Sequence, residues 1–182
     1  MKIIAGQYKG KKLVTSRDYS IRPTTNRIKE NIFNVLQDFC LNRYVLDLFS
    51  GSGNLGLEAL SRGAEKIVFV EKATRSIDII KKNLENIKID MDRVMIVKQD
   101  ALLFCEQTEL NFDLIFIDPP FDYPELQILI NAIFKKSILR KDGILIIEHE
   151  KTNPIGNSSF DYSIIKQKKI GRSIISFIIN RN

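Results

Sequence analysis

Residues 44–56 read YVLDLFSGSGNLG. An apolar, strand-forming run carries Asp47 and Phe49 and passes straight into Gly51, Gly53 and Gly56, spaced G-x-G-x-x-G. Glycines at these places permit a tight turn and let a ligand approach the backbone. The following NLGLEALSRG (54–63) has a helical pattern that stops at Gly63. The next apolar run, KIVFVE (66–71), ends on Glu71, 20 residues after Gly51. An acid there accepts hydrogen bonds from a ribose diol. A glycine pattern alone is weak. Strand, glycine loop, helix and a second strand ending on an acid together indicate an adenosine-containing ligand.

The alternation continues outward from this unit. A helix is expected over 74–88, with Ile77, Ile80, Leu84 and Ile87 as its apolar stripe, then a strand over 93–99 and a short helix ALLFCEQ. A strand over 112–118, a helix over 125–137 and a strand over 143–150 follow. The strands are continuous apolar runs, which predicts burial on both faces in a doubly wound parallel α/β sheet. The runs DYSIIKQKKIG and RSIISFIIN are too close to enclose a crossover helix, so they read as an antiparallel hairpin at the sheet edge. Ahead of the sheet, residues 2–5 and 11–14 form a plausible small hairpin around Gly6 and Gly10. A helix begins near Asn26, with Ile28, Ile32, Val35, Leu36 and Phe39 on one face. Five parallel strands finishing in an antiparallel hairpin resemble the class I methyltransferase fold, with residues 1–40 as an extension and 41–182 as the main domain.

The acids discriminate between cofactors. Asp47, Glu71, Asp100 and Asp118 fall at four successive strand ends, the ligand edge of such a sheet. A dinucleotide such as NAD favours an uncluttered helix N-terminus for its pyrophosphate. S-adenosylmethionine carries an amino group and a sulfonium, which an acid-rich rim suits better. Asp47 would face the methionine end, Glu71 the ribose, and Asp100 or the next backbone N–H, that of Ala101, the adenine edge. Any single acid can instead be a helix cap.

The chain has 182 residues, 44% of them hydrophobic, which is ordinary for one globular unit. No run approaches the roughly 20 apolar residues of a membrane span, and no secretory signal pattern is present, so a cytoplasmic protein is expected. Cys40, Cys105 and the lone His149 give no metal-ligand spacing, so no metal is expected. The cysteines read as reduced, buried thiols and the histidine as a structural or surface residue. Net charge is +6. Residues 1–43 carry nine basic and three acidic side chains, while the rest carry 19 of each, so the excess sits in the first quarter. Such a basic surface attracts a polyphosphate backbone. A second basic cluster comprises Lys166, Lys168, Lys169 and Arg172; it reads as a weaker nucleic-acid candidate or as protection of a sheet edge.

The fourth strand ends in FIDPPFDY. Prolines fix φ and donate no hydrogen bond, so this is poor material for extending a sheet. Rigid, polar and aromatic, it suits a flat ligand. Asp118-Pro119-Pro120-Phe121 matches the (N/D)-P-P-(F/Y/W) motif of amino methyltransferases. With DLFSGSGNLGLEALSRGA, VEK, RPTTNRIKENIFNVL and IIAGQYKGKKL, the whole chain resembles the RsmD family of bacterial 16S rRNA guanine-N2 methyltransferases. Asn26 stands where the family usually has Asp; both cap helices.

The resemblance implies S-adenosylmethionine as donor and a guanine of 16S rRNA as acceptor, in the small ribosomal subunit or an assembly intermediate. Its motifs imply a cofactor set of Asp47, Phe49, Gly51, Ser52, Gly53, Leu55, Gly56, Glu71, Lys72, Asp100, Ala101 and Asp118. Asp118 and the Pro119 carbonyl would accept from the target amine, Pro120 would brace them, and Phe121, helped by Tyr123, would stack on the base. Lys9, Lys11, Lys12, Arg22, Thr24, Thr25 and Arg27 would contact RNA, and Asp122 reads as a solvated turn residue. A monomer is expected. The rival readings are a DNA adenine-N6 methyltransferase, an NAD-dependent oxidoreductase and a non-catalytic RNA-binding assembly module.

Overall fold

The computed structural model describes residues 1–15, 26–120, 123–156 and 162–181. Its elements are α1 (Asn26–Leu36), β1 (Tyr44–Leu48), α2 (Asn54–Ser61), β2 (Lys66–Glu71), α3 (Thr74–Ile87), β3 (Val94–Lys98), α4 (Ala101–Gln107), β4 (Phe112–Ile117), α5 (Leu126–Lys135), β5 (Leu139–Glu150), β6 (Tyr162–Ile170) and β7 (Ser173–Asn180). One seven-stranded sheet has the order β3-β2-β1-β4-β5-β7-β6. The first five strands pair in parallel, and β7 and β6 add antiparallel at β5. This is the expected class I methyltransferase architecture, Rossmann-like and closed by the C-terminal hairpin.

Both sheet faces are covered, which explains the unbroken apolar runs. Val45, Leu114, Phe116, Ile175 and Phe177 pack beneath α1, α2 and α3, with Phe33 of α1 tilted against Phe116 at 5.8 Å between ring centroids. Leu46, Leu48, Ile115, Ile117 and Ile178 pack beneath α4 and α5. The expectation of two-sided burial fails at β3. Among the described residues that strand is an edge of the sheet, with no strand beyond it, and Met95 on it is 51% exposed. β5 also starts earlier than its apolar core suggests, at Leu139, and its register against β4 shifts between Phe112 and Leu114.

The N-terminal residues fold back as an antiparallel loop. Lys2 pairs with Lys12; the Ile3 and Leu13 N–H groups donate to the Lys11 and Met1 carbonyls, both at 2.9 Å. Ile3 and Leu13 are buried in the core that holds α1, α2 and α3.

A buried ion pair fastens this loop. Lys29 of α1 and Glu58 of α2 are both wholly buried, 3.1 Å apart. The Lys29 ammonium also donates to the Lys2 carbonyl (2.7 Å) and to Asn54 Oδ1 (2.8 Å). Glu58 accepts from the Ile4 N–H (2.8 Å), the Ala5 N–H (3.0 Å) and Arg62 Nε (3.0 Å). Burial pushes the Lys29 ammonium below its usual pKa, and the Glu58 carboxylate opposes that. Removing one partner of such a pair strands the other charge. Lys29→Met is therefore expected to cost about 3–5 kcal/mol in urea unfolding; a loss below about 1 kcal/mol would show that the pair does not hold the fold.

Candidate active site at the sheet switch point

Strand order reverses at β1, whose neighbours are β2 and β4, and parallel α/β sheets bind ligands at the strand C-termini beside such a point. Leu48 of β1 is in register with Val70 of β2 and Ile117 of β4. The residues that follow are therefore brought side by side: Phe49 and the glycine loop, Glu71, and Asp118.

The loop is a backbone construction. The Gly53 N–H donates to the Ser50 carbonyl at 2.7 Å, and Gly53 starts α2 with φ 76°, a left-handed conformation that disfavours any side chain. Gly56 lies where a Cβ would come within 2.3 Å of Ile67 and 2.4 Å of Phe69, so its role is close packing of α2 on β2. Leu55 is likewise buried in the core. Gly51 has open space instead: a Cβ there would meet nothing closer than the Phe49 carbonyl oxygen at 3.9 Å. Phe49, half-buried at φ 58°, sets its ring edge-on to Tyr123 at 5.0 Å. That contact ties the glycine loop to the turn after β4.

The acids divide by role. Asp47 is 2% exposed, and its Oδ2 accepts from the Gly56 N–H at 3.0 Å. Burial raises its pKa to about 8; the Gly56 N–H lowers it and the Glu71 charge raises it. Glu71 is a clasp, accepting from the Gly51 and Ala73 N–H groups, both at 2.9 Å. Asp100 caps α4 through the N–H groups of Leu102 (2.9 Å) and Leu103 (3.5 Å), and Lys72 approaches its other oxygen at 3.7 Å. Its carboxylate is thus largely used by the helix, which leaves the adjoining backbone at Ala101, the buried first residue of α4, as the feature at that place.

Beyond β4, Asp118 and Pro119 are half-buried and Pro120 is exposed, its carbonyl accepting from the Tyr123 N–H at 3.0 Å. Tyr123 does not face a ligand as a stacking plate would. It is 8% exposed within the α4–α5 core, and burial, helped by the Asp100 and Glu125 charges, raises its phenol pKa. Asn153 donates to its carbonyl at 3.4 Å. The Asn153 carbonyl in turn lies 3.1 Å from Nδ1 of His149, a buried residue whose Nε2 meets Ser176 Oγ at 2.9 Å. Burial lowers the pKa of His149, which supports its structural reading. Phe121, Asp122, Arg22, Thr24 and Thr25 lie outside the described residues. Lys9, Lys11, Lys12 and Arg27 are exposed, as a phosphate-facing surface requires. Lys168 of the second basic cluster reaches Asn31 of α1 at 3.3 Å. Cys40 and Cys105 are buried free thiols, pushed up to about 12 by burial.

Lys29, Asn54, Glu58 and Asn83 are not among the expected site residues, yet they hold the glycine loop and α2 from behind. Each is a polar residue on an otherwise apolar stripe, and that mismatch was the available signal.

Residues 1–179 match the family model described as conserved hypothetical protein 95. Ribosomal RNA small subunit methyltransferase D of Haemophilus influenzae is 33% identical over 184 residues, spanning 100% of this chain and 94% of that protein. The protein of the same name from Escherichia coli is 33% identical over 94% of this chain and 86% of its own length. The solved structure of yhhF from Escherichia coli superposes with a TM-score of 0.88 at 31% identity, over 98% of this chain and 96% of that one.

The buried Asp47 carboxyl gives a pH test. Its folded pKa lies above the unfolded value of 3.8, so its contribution to stability is full below about pH 4 and is lost as pH rises through about 8. Asp47→Asn should remove this loss. The ligand-free variant is expected to change its melting temperature between pH 5 and pH 8 by several degrees less than the wild type. Parallel pH profiles in calorimetry would show that Asp47 is not held protonated.

Proposed function

We infer the function from one premise: the chain belongs to the family of ribosomal RNA small subunit methyltransferase D. The reading is that it transfers a methyl group from S-adenosylmethionine to the exocyclic N2 of a guanine in 16S rRNA. The observation that carries it is the β1–β4 register, Leu48 opposite Ile117, which sets the glycine loop beside Asp118-Pro119-Pro120. The residues present fit the cofactor: there is open space at Gly51, a clasp at Glu71, and a buried carboxyl at Asp47 whose Oδ2 meets the Gly56 N–H. S-adenosylmethionine supplies a methyl group on a cationic sulfur. Asp47 would lie toward the amino end of that molecule, Glu71 toward the ribose and Ala101 toward the adenine.

The chain's own contribution is to position and polarise the acceptor. A guanine amine is a weak nucleophile because its lone pair is delocalised into the ring. Acceptors on its two N–H bonds draw the nitrogen toward tetrahedral geometry, and the Asp118 carboxylate and the Pro119 carbonyl are the groups for this. Pro119 and Pro120 restrict the turn, so the acceptors need little rearrangement when charge develops. As the N–C bond forms, the amine must shed one proton, which Asp118 can hold. The target base has to be unpaired or flipped to arrive here. Phe121 is assigned the stacking role, a contribution of about 1–3 kcal/mol. Lys9, Lys11, Lys12 and Arg27, with Arg22, Thr24 and Thr25, are assigned to the RNA backbone, which positions without specifying sequence. On this reading residues 1–40 serve as the RNA-facing part, 41–182 carry the transfer, and the protein acts as a cytoplasmic monomer.

Incubation with tritiated S-adenosylmethionine and unmodified small subunits, with naked rRNA and DNA in parallel, should place label in N2-methylguanosine. Label confined to adenine of DNA would overturn the reading. Asp118→Ala should lower the transfer rate at least about 100-fold while cofactor binding persists; an unchanged rate would remove Asp118 from the chemistry.

A cation beside the Asp47 carboxyl should drive off its proton. At pH 7, calorimetric titration in buffers of differing ionisation enthalpy should register release of up to about one proton per cofactor bound. Asp47→Asn should abolish that release.

A further inference from the structure

Asn83 is wholly buried in α3, yet it joins the two parts of the molecule assigned to different substrates. Its Oδ1 accepts from the Val14 N–H at 2.7 Å. Its Nδ2 donates to the Val14 carbonyl at 2.9 Å and to the Ser52 carbonyl at 3.0 Å. Ser52 stands between Gly51 and Gly53, and Val14 follows Lys11 and Lys12 closely in the chain. On the other side of Gly53, Asn54 is held by Lys29, which also grips the Lys2 carbonyl. Both chain neighbours of Gly53 are therefore tied to the N-terminal loop by buried side chains. Gly51 and Gly53 have no side chains with which to fix the loop, so these tethers act beside the Glu71 clasp and the loop's own backbone bonds in holding it.

We propose that Asn83 is a positioning residue that couples RNA engagement by the basic N-terminal loop to cofactor binding by the glycine loop. The proposal rests on the functional reading above. A cofactor that orders the loop around Ser52 also orders Val14 through the shared amide. RNA phosphates that hold the Lys9, Lys11 and Lys12 segment then meet a chain whose ordering cost is already met, and the reverse holds equally. The coupling is positive and must be reciprocal. An amide suits the role because it supplies the acceptor and both donors that the three bonds require; a carboxylate supplies only the acceptor.

The test measures binding, without turnover, using S-adenosylhomocysteine as the probe. Filter binding of unmethylated small subunits, and separately of naked 16S rRNA, is measured with and without saturating S-adenosylhomocysteine. Wild type should bind one of these RNAs about tenfold more tightly with the probe present, within the usual range of coupling between sites. Asn83→Asp keeps the acceptor and loses both donors, and should reduce the tightening to less than twofold while each ligand still binds alone. In the wild type, hydrogen exchange at the Val14 amide should slow when the probe binds, a readout that needs no variant to fold. Binding of the probe with no tightening on either RNA and no added protection at Val14 would overturn the coupling and leave the cofactor assignment standing. Full tightening in a folded Asn83→Asp would remove Asn83 from it. Failure of the probe to bind the wild type would overturn the functional reading, and the coupling with it.

Discussion

The buried Lys29–Glu58 pair is the constraint on which the arrangement rests. Two full charges inside a protein cost several kcal/mol each in lost hydration, and their attraction alone often fails to recover that. Here the cost is offset by neighbours. The ammonium meets a carboxylate, a carbonyl and an amide oxygen; the carboxylate meets two backbone N–H groups and a guanidinium. The two N–H groups belong to Ile4 and Ala5, which would otherwise lack partners where the N-terminal loop lies on α2. An apolar pair of the same volume could fill the space but could not satisfy them. The pair thus selects one placement of the N-terminal loop on the helix that begins at the glycine turn.

Topology then does most of the work of building the site. A parallel sheet whose order reverses at β1 sets the ends of β1, β2 and β4 together without long insertions. The acids at those ends are not interchangeable. Glu71 and Asp100 are anchored by backbone N–H groups and shape the loop and α4. Asp47 is more deeply buried, and that burial raises its pKa. The backbone bonds of the loop and of α4 thus engage a different pair of acids from the one whose charge burial suppresses.

Much of this was legible in the sequence because it is written locally. Apolar runs, glycine spacing and the two closely spaced terminal strands specify order and pairing, and DPPF marks the turn after β4. Three things were not local. The edge position of β3 depends on which strand lies beyond it, so Val94, Met95 and Val97 read the same as core residues. Tyr123 sits close to the motif in sequence but turns inward, where Phe49 and the α4–α5 core receive it. The polar residues Lys29, Glu58 and Asn83 have partners 25 to 69 residues away, and periodicity assigns them to a face without naming what they meet. Asp100 shows the converse: an acid at a strand end can equally be the first residue of the next helix's cap.

The insertion of β7 between β5 and β6 has a consequence for how the chain matures. Ile175 and Phe177 complete the core on one face of the sheet, and Ile178 that on the other. Until β7 docks, β5 presents an unpaired edge flanked by two open apolar surfaces. The glycine turn therefore rests on a scaffold whose closing strand is translated more than 100 residues later. Completion of the sheet accordingly waits on a pairing distant in sequence from the glycine turn, the kind of non-local contact that slows folding.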